Sequence, residues 1–203
     1  HGDPTEGALV VAAAKANLPK EVLEEDYPRL DEIPFSTKRG FMATFHQVGD
    51  QAQVLVKGAP ERVLELCADA GWNGSIRPLD EEVRARVLRD NEEMAAAALR
   101  VLGLAHQTIA PEELGRVKSE LENGRGQLTL VGLTGMIDPA RPEVPEAVAQ
   151  CKRAGIRVIM ATGDHRLTGQ TIAQQIGILE AGQRVLTGAE VEEMSDEALD
   201  AAI

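Results

Sequence analysis

Between positions 41 and 57 polar and apolar residues alternate. In FMATFHQV (41–48) Phe41 and Phe45 share a face, and in QAQVLVK (51–57) Ala52, Val54 and Val56 do the same. Two period-two runs joined by Gly49-Asp50 predict a β-hairpin with one buried face. The alternation puts Lys57 on the opposite, mixed face, with Gln51 and Gln53. Residues 3–17 read as a helix: Asp3 can cap it, Pro4 suits its first position, and Glu6 lies three residues after the cap. The acidic stretch 21–34 reads as connection or surface. Helices are expected at about 59–70 and 79–99, a strand at VLGLAHQTI (101–109), and a helix from Pro111 to about Glu122.

After ENGRGQ the pattern changes. LTLVGLTGMID (128–138) is a long apolar run, PEVPEAVAQCKRAG (142–155) an amphipathic helix, IRVIMAT (156–162) a short buried-type strand, and HRLTGQTIAQQIGI (165–178) another helix. Such a β-α-β-α succession predicts parallel sheet. The expected fold is therefore α/β. A first domain (1–127) mixes antiparallel strands with helices, and a second (128–203) is parallel α/β. Both ends read as cuts: structure begins at once after His1, and the chain stops inside a helical pattern. A fragment of a larger protein is expected.

Composition narrows the partners. The net charge of −12 is shared by both parts, so neither offers the basic surface that nucleic acid requires, although a few placed cations can hold a small anion. Cys67 and Cys151 have no CxxC or Cys/His spacing, which predicts neutral or buried thiols and no zinc site. No stretch approaches 18 apolar residues.

Each candidate for chemistry has a plain structural alternative. Lys57 ends a strand just before Gly58, Ala59 and Pro60; it either lines a pocket or is solvated. In MATGDH (160–165) a buried-type strand runs into Thr162, Gly163 and Asp164 at a helix start, where amides and a hydroxyl suit phosphate and Gly163 permits close approach. Asp164 alone could simply cap that helix. Asp138 and Arg141, in GMIDPAR, end an apolar run and suit either a ligand or a hinge. Phe35 precedes the hairpin and offers a stacking ring or a core side chain. Arg100 reaches a phosphate or snorkels, and Glu6 binds or merely completes a capping box. No GxxxxGK[ST] occurs, and the Gly124–Gly126 stretch fails the dinucleotide fingerprint.

Taken in order, GDPTEGAL, PFSTKRGFM, VKGAPE, ALRVLGLA, GMIDPAR and MATGDH resemble the P-type cation-transporting ATPases, in the branch that includes calcium, sodium and proton pumps. The resemblance covers nearly the whole chain. It implies an ATP-binding N-domain joined to part of a phosphorylation domain of haloacid-dehalogenase type. In that family the lysine of KGAPE lines the nucleotide pocket, the PFS phenylalanine stacks on adenine, the PTEGAL glutamate lies near the adenine edge, and the LR arginine reaches the phosphates. These map onto Lys57, Phe35, Glu6 and Arg100. TGD maps onto Thr162, Gly163 and Asp164, and Asp138 and Arg141 fall at the junction. The lysine that members often carry two residues before the methionine of the PFS segment is Gly40 here, and Arg39 is the nearest cation. The phosphorylated aspartate of DKTGT, the later lysine and GDGxND motif that bring charge compensation and Mg²⁺, and the transmembrane and actuator domains are absent from these 203 residues. The resemblance thus implies the cytoplasmic portion of an integral membrane pump that binds ATP and, as this fragment, does not hydrolyse it. A non-catalytic nucleotide-binding module and a soluble phosphatase of the same α/β type are the rival readings.

Overall fold

The hairpin forms in the register that the alternation predicts. In the computed structural model, which describes residues 4–72, 74–137, 140–163, 166–180, 183, 185–195 and 198–199, strands β2 (Phe41–Val48) and β3 (Gln51–Gly58) pair antiparallel from Phe41 opposite Gly58 to Val48 opposite Gln51. Phe41, Ala43, Phe45, Ala52, Val54 and Val56 are all buried.

The hairpin is the heart of a larger sheet. Strands β1 (Arg29–Ile33), β4 (Cys67–Trp72), β5 (Ser75–Pro78), β6 (Arg100–Ile109) and β7 (Leu128–Met136) complete seven strands in the order β1-β2-β3-β6-β7-β4-β5. All neighbours run antiparallel except β4 and β7, which are parallel. The fold is α/β with a mixed sheet. Helices α3 (Pro60–Glu65), α4 (Glu81–Ala96) and α5 (Leu114–Glu122) bury Val63 and Leu64, Val83 and Val87, and Val117 and Leu121 in the same core as the hairpin. Helices α1 (Pro4–Lys15) and α2 (Lys20–Asp26) bury no residue. The capping expected of Asp3 lies outside the described residues.

Three readings are corrected. The acidic stretch 21–34 holds most of α2 and all of β1: the carboxylates of α2 are exposed, Asp31 and Glu32 of β1 are half-buried, and Ile33 reaches the core. The expected helix 59–70 ends at Glu65, and the chain turns into β4 at Cys67. Leu66 and Cys67 are buried there, and Ala70 pairs with Leu130 of β7. Finally, β7 is not the first strand of a separate parallel unit. It pairs along its length with β6, Arg100 opposite Met136.

The chain divides into two compact units. One holds the residues up to Ala95 with Arg100–Met136; the other holds Ala96–Leu99 with the residues from Ile137 onward. The second unit contains α6 (Val144–Arg153), α7 (Arg166–Gln175) and α8 (Gly188–Glu192). The expected strand IRVIMAT is not formed: 156–162 has no regular structure, with Ile156 57% and Ile159 63% exposed. A parallel strand needs hydrogen-bonding neighbours and cover on both faces. No other strand is present among the described residues of this unit.

Candidate functional site

Beneath the core, the sheet has a second face that is only half covered. On β3 it carries Gln53, Leu55 and Lys57; the register sets Lys57 between Met42 of β2 and Leu104 of β6. Arg100 lies four residues before Leu104 on the same strand, hence on the same face, about 13 Å away along the strand. Two cations on neighbouring strands therefore look out over a shallow surface of Met42, Leu55, Leu102 and Leu104.

The turn after Lys57 is set by contact. Gly58 takes no left-handed conformation. Glycine is required because a Cβ there would overlap the Gly40 carbonyl oxygen and Phe41. The Ala59 amide donates to that same carbonyl at 2.8 Å, and Pro60 opens α3. Helix α3 then lies close on β6: a Cβ at Gly103 would sit 3.1 Å from Val63 Cβ. The role of Gly58 is thus space and not backbone freedom.

Helix α1 meets both cations. Lys57 Nζ donates to Glu6 Oε2 at 2.6 Å, with the two side chains 24% and 53% exposed. Arg100 Nη1 donates to Thr5 Oγ1 at 2.8 Å. Glu6, Lys57 and Arg100 are thus brought together around one face. Thr5 was missed as a site residue; its only signal was adjacency to Glu6.

Phe35 is 61% exposed, so it is not a core side chain. The core phenylalanines are Phe41 and Phe45. Arg39, the cation nearest position 40, is engaged within its own turn. Its Nη2 donates to Pro34 O at 2.7 Å and its amide to Ser36, so it closes the turn that carries Phe35. Position 40 itself suits glycine: φ is +75°, and a Cβ would lie 2.9 Å from Arg62 Cγ.

The remaining candidates belong to the second unit. Asp138 and Asp164 lie outside the described residues. Arg141 is exposed, and its carbonyl accepts from Val144 N at 3.0 Å, ahead of α6. Thr162 and Gly163 are exposed ahead of α7. Gly169 of α7 is buried against Thr162, where a Cβ would come within 3.1 Å of Thr162 Cγ2. At Gly163 a Cβ would meet nothing within 4 Å, so crowding does not demand glycine there.

Cys67 is inert: its Sγ donates to Val63 O at 3.1 Å, and burial pushes its pKa up to about 12. Among the described residues no group of three acidic, histidine or cysteine side chains could hold a metal ion, and no helix is long and apolar enough to cross a membrane.

Comparison with known proteins gives these positions a context. The family model described as P-type ATPase, cytoplasmic domain N, matches residues 1–143. A probable cation-transporting ATPase F of Mycobacterium tuberculosis is 44% identical over 99% of this chain and 22% of its own length. A calcium-transporting ATPase of Listeria monocytogenes is 38% identical over 98% of the chain and 22% of its own length. A cation-transporting ATPase of Synechocystis is 42% identical over 91% of the chain and 20% of its own. The chain therefore spans about a fifth of the length of these relatives.

Proposed function

The chain belongs to the family of the P-type ATPase cytoplasmic domain N, and on that footing we propose that it is the ATP-binding cytoplasmic part of a cation-transporting pump anchored in a membrane. The observation that carries the proposal is that Lys57 and Arg100 share one face of the sheet, where they meet Glu6 and Thr5 of α1, with an exposed Phe35 nearby in sequence to the strand that flanks Lys57.

Each residue has a role that its chemistry suits. Phe35 stacks on adenine, since an exposed ring loses little by accepting a planar partner. Lys57 lines the adenine-nucleotide pocket, and Arg100 donates to the phosphates, where charge-assisted hydrogen bonds are strongest. The Glu6 carboxylate accepts from the adenine edge. The unit that ends at Met136 carries this site, and the residues from Ile137 onward form part of a phosphorylation domain of haloacid-dehalogenase type. There Asp138 and Arg141 mark the junction, and the Thr162–Asp164 turn helps to position the transferred phosphoryl group. In the whole pump that group passes to an aspartate outside this chain, and the aspartyl phosphate drives cation transport. Mg²⁺ belongs to that reaction, but the described residues offer no donor set for it.

ATP titration followed by a turnover assay tests the proposal. The chain should bind ATP near 1 mM, about −4 kcal/mol, and release no phosphate. After incubation with ATP and Mg²⁺, mass spectrometry should find no acyl phosphate on any aspartate. An acyl phosphate would favour the soluble phosphatase instead, and absence of ATP binding would remove the proposal.

A further inference from the structure

Trp72, the single tryptophan of the chain, is shared by two arginines. The guanidinium carbon of Arg77, on β5, lies 4.2 Å from the centre of the ring, and that of Arg86, on α4, lies 4.6 Å from it. The two charges are therefore within about 9 Å of each other, close enough to repel. Stacking on the ring offsets part of that cost. Carboxylates do not: among the described residues neither arginine has an ion-pair partner, although Glu82 and Asp90 lie one turn to either side of Arg86 on its own helix. Arg77 Nε is also shut off from solvent and donates to nothing among the described residues. For a charged group that is a costly state.

The same ring walls a cavity. About 300 Å³ lies between α4 and strands β4 and β7, lined by Trp72 together with Val83, Val87, Met94, Leu130 and Leu133. Asp90 is the one charged residue of the lining, and it is exposed. All of these residues belong to the first compact unit. Leu130, Val83 and Val87 are core residues, so the cavity lies on the covered face of the sheet, opposite to that of Lys57 and Arg100.

We propose that Trp72, Arg77 and Arg86 form, with this cavity, a second binding site, and that it takes a small amphipathic carboxylate. The apolar body fills the cavity, and the carboxylate accepts from the donors that the arginines leave unused. At the ~30 Å³ that a small group fills in a liquid, the cavity holds about ten non-hydrogen atoms, the size of a medium-chain acyl group. A head with one charge fits better than a phosphate, because Asp90 beside the cavity repels a second negative charge. An anion set against both guanidinium groups replaces their mutual repulsion by two attractions, and it gives Arg77 Nε an acceptor. The site shares no residue with Glu6, Phe35, Lys57 or Arg100, so it stands whether or not those bind a nucleotide.

Because Trp72 is the only tryptophan, its emission reads the site directly. The probes are octanoate, octanol, octylammonium and acetate, each below its micellar concentration. Octanoate should change the emission saturably and bind about tenfold or more tighter than any of the other three. The comparison with octylammonium is the severe one, since a chain of net charge −12 attracts cations and repels anions in general. Affinity should rise about two- to fourfold per methylene from butanoate to octanoate, then level off once the cavity is filled. The Arg77→Met, Arg86→Met double variant keeps the apolar stems and loses both charges; in it octanoate should bind no better than octanol, while ATP binding stays as in the native chain. Thermal melting checks that this variant folds. If it does not, Arg86→Met alone, at an exposed position, should weaken octanoate about threefold. Equal binding of octanoate and octylammonium, an affinity that climbs with chain length without levelling, or an arginine variant that keeps the native preference for the carboxylate would overturn the site.

Discussion

Replacing Phe35 by alanine separates a binding ring from a structural one. Phe35 is 61% exposed. A phenylalanine offers about 200 Å² of surface, so roughly 80 Å² is buried here, worth at most about 2 kcal/mol of stability. Phe45, fully buried in the same small set of three phenylalanines, supplies the internal contrast. Its truncation should cost about 3–5 kcal/mol, or roughly 6–20 °C in Tm. If the Phe35 ring stacks on adenine, its loss should instead weaken ATP by about 1–3 kcal/mol, roughly 5- to 150-fold. Calorimetric titration with ATP and with tripolyphosphate, beside thermal melts of both variants, decides. Phe35→Ala should lose ATP affinity, keep tripolyphosphate affinity, and melt well above Phe45→Ala. Equal Tm losses in the two variants, or unchanged ATP affinity in Phe35→Ala, would refute the reasoning.

Other expectations follow from single contacts. Lys57→Ala should weaken ATP by about 1.5–3 kcal/mol with little change in Tm, because its present pair with Glu6 is partly exposed and contributes about 1 kcal/mol or less; an unchanged titration would return Lys57 to the solvated lysines. Gly58→Ala should destabilise the chain by about 1–3 kcal/mol in chemical denaturation, since its Cβ would strike backbone atoms that cannot give way, and a neutral effect would show that the turn is not set by space. Asp31 has its pKa held below the usual 3.8, first by the hydrogen bonds from Lys118 Nζ and then by the Glu32 amide. A depressed carboxylate contributes stability that is full above its unfolded pKa and is lost as pH falls through the folded one. Asp31→Asn should therefore flatten the loss of Tm below about pH 4, and an identical acid limb in the variant would exclude the pair as its source.

Local pattern was enough for the elements whose stability is local. The hairpin register follows from period-two burial, and Phe41 and Phe45 fall inside because the same alternation places them there. The motif order was enough for the family, since PTEGAL, KGAPE and LRVLGLA lie within the matched residues 1–143. What pattern could not supply came from neighbours distant in sequence. β4 is a strand because β7 and β5 pair with it, although CADA continues a helical run; β1 is a strand because β2 offers its edge. IRVIMAT shows the converse. It is as apolar and β-branched as any strand here, yet without a pairing partner among the described residues it stays irregular. A strand's hydrogen bonds are made to another segment, so sequence sets the propensity and tertiary structure decides whether the partner is present. The site follows the same division. Residue type and motif singled out Glu6, Phe35, Lys57 and Arg100, but that one helical turn bridges 51 residues to Lys57 and 95 to Arg100 is visible only in the folded chain.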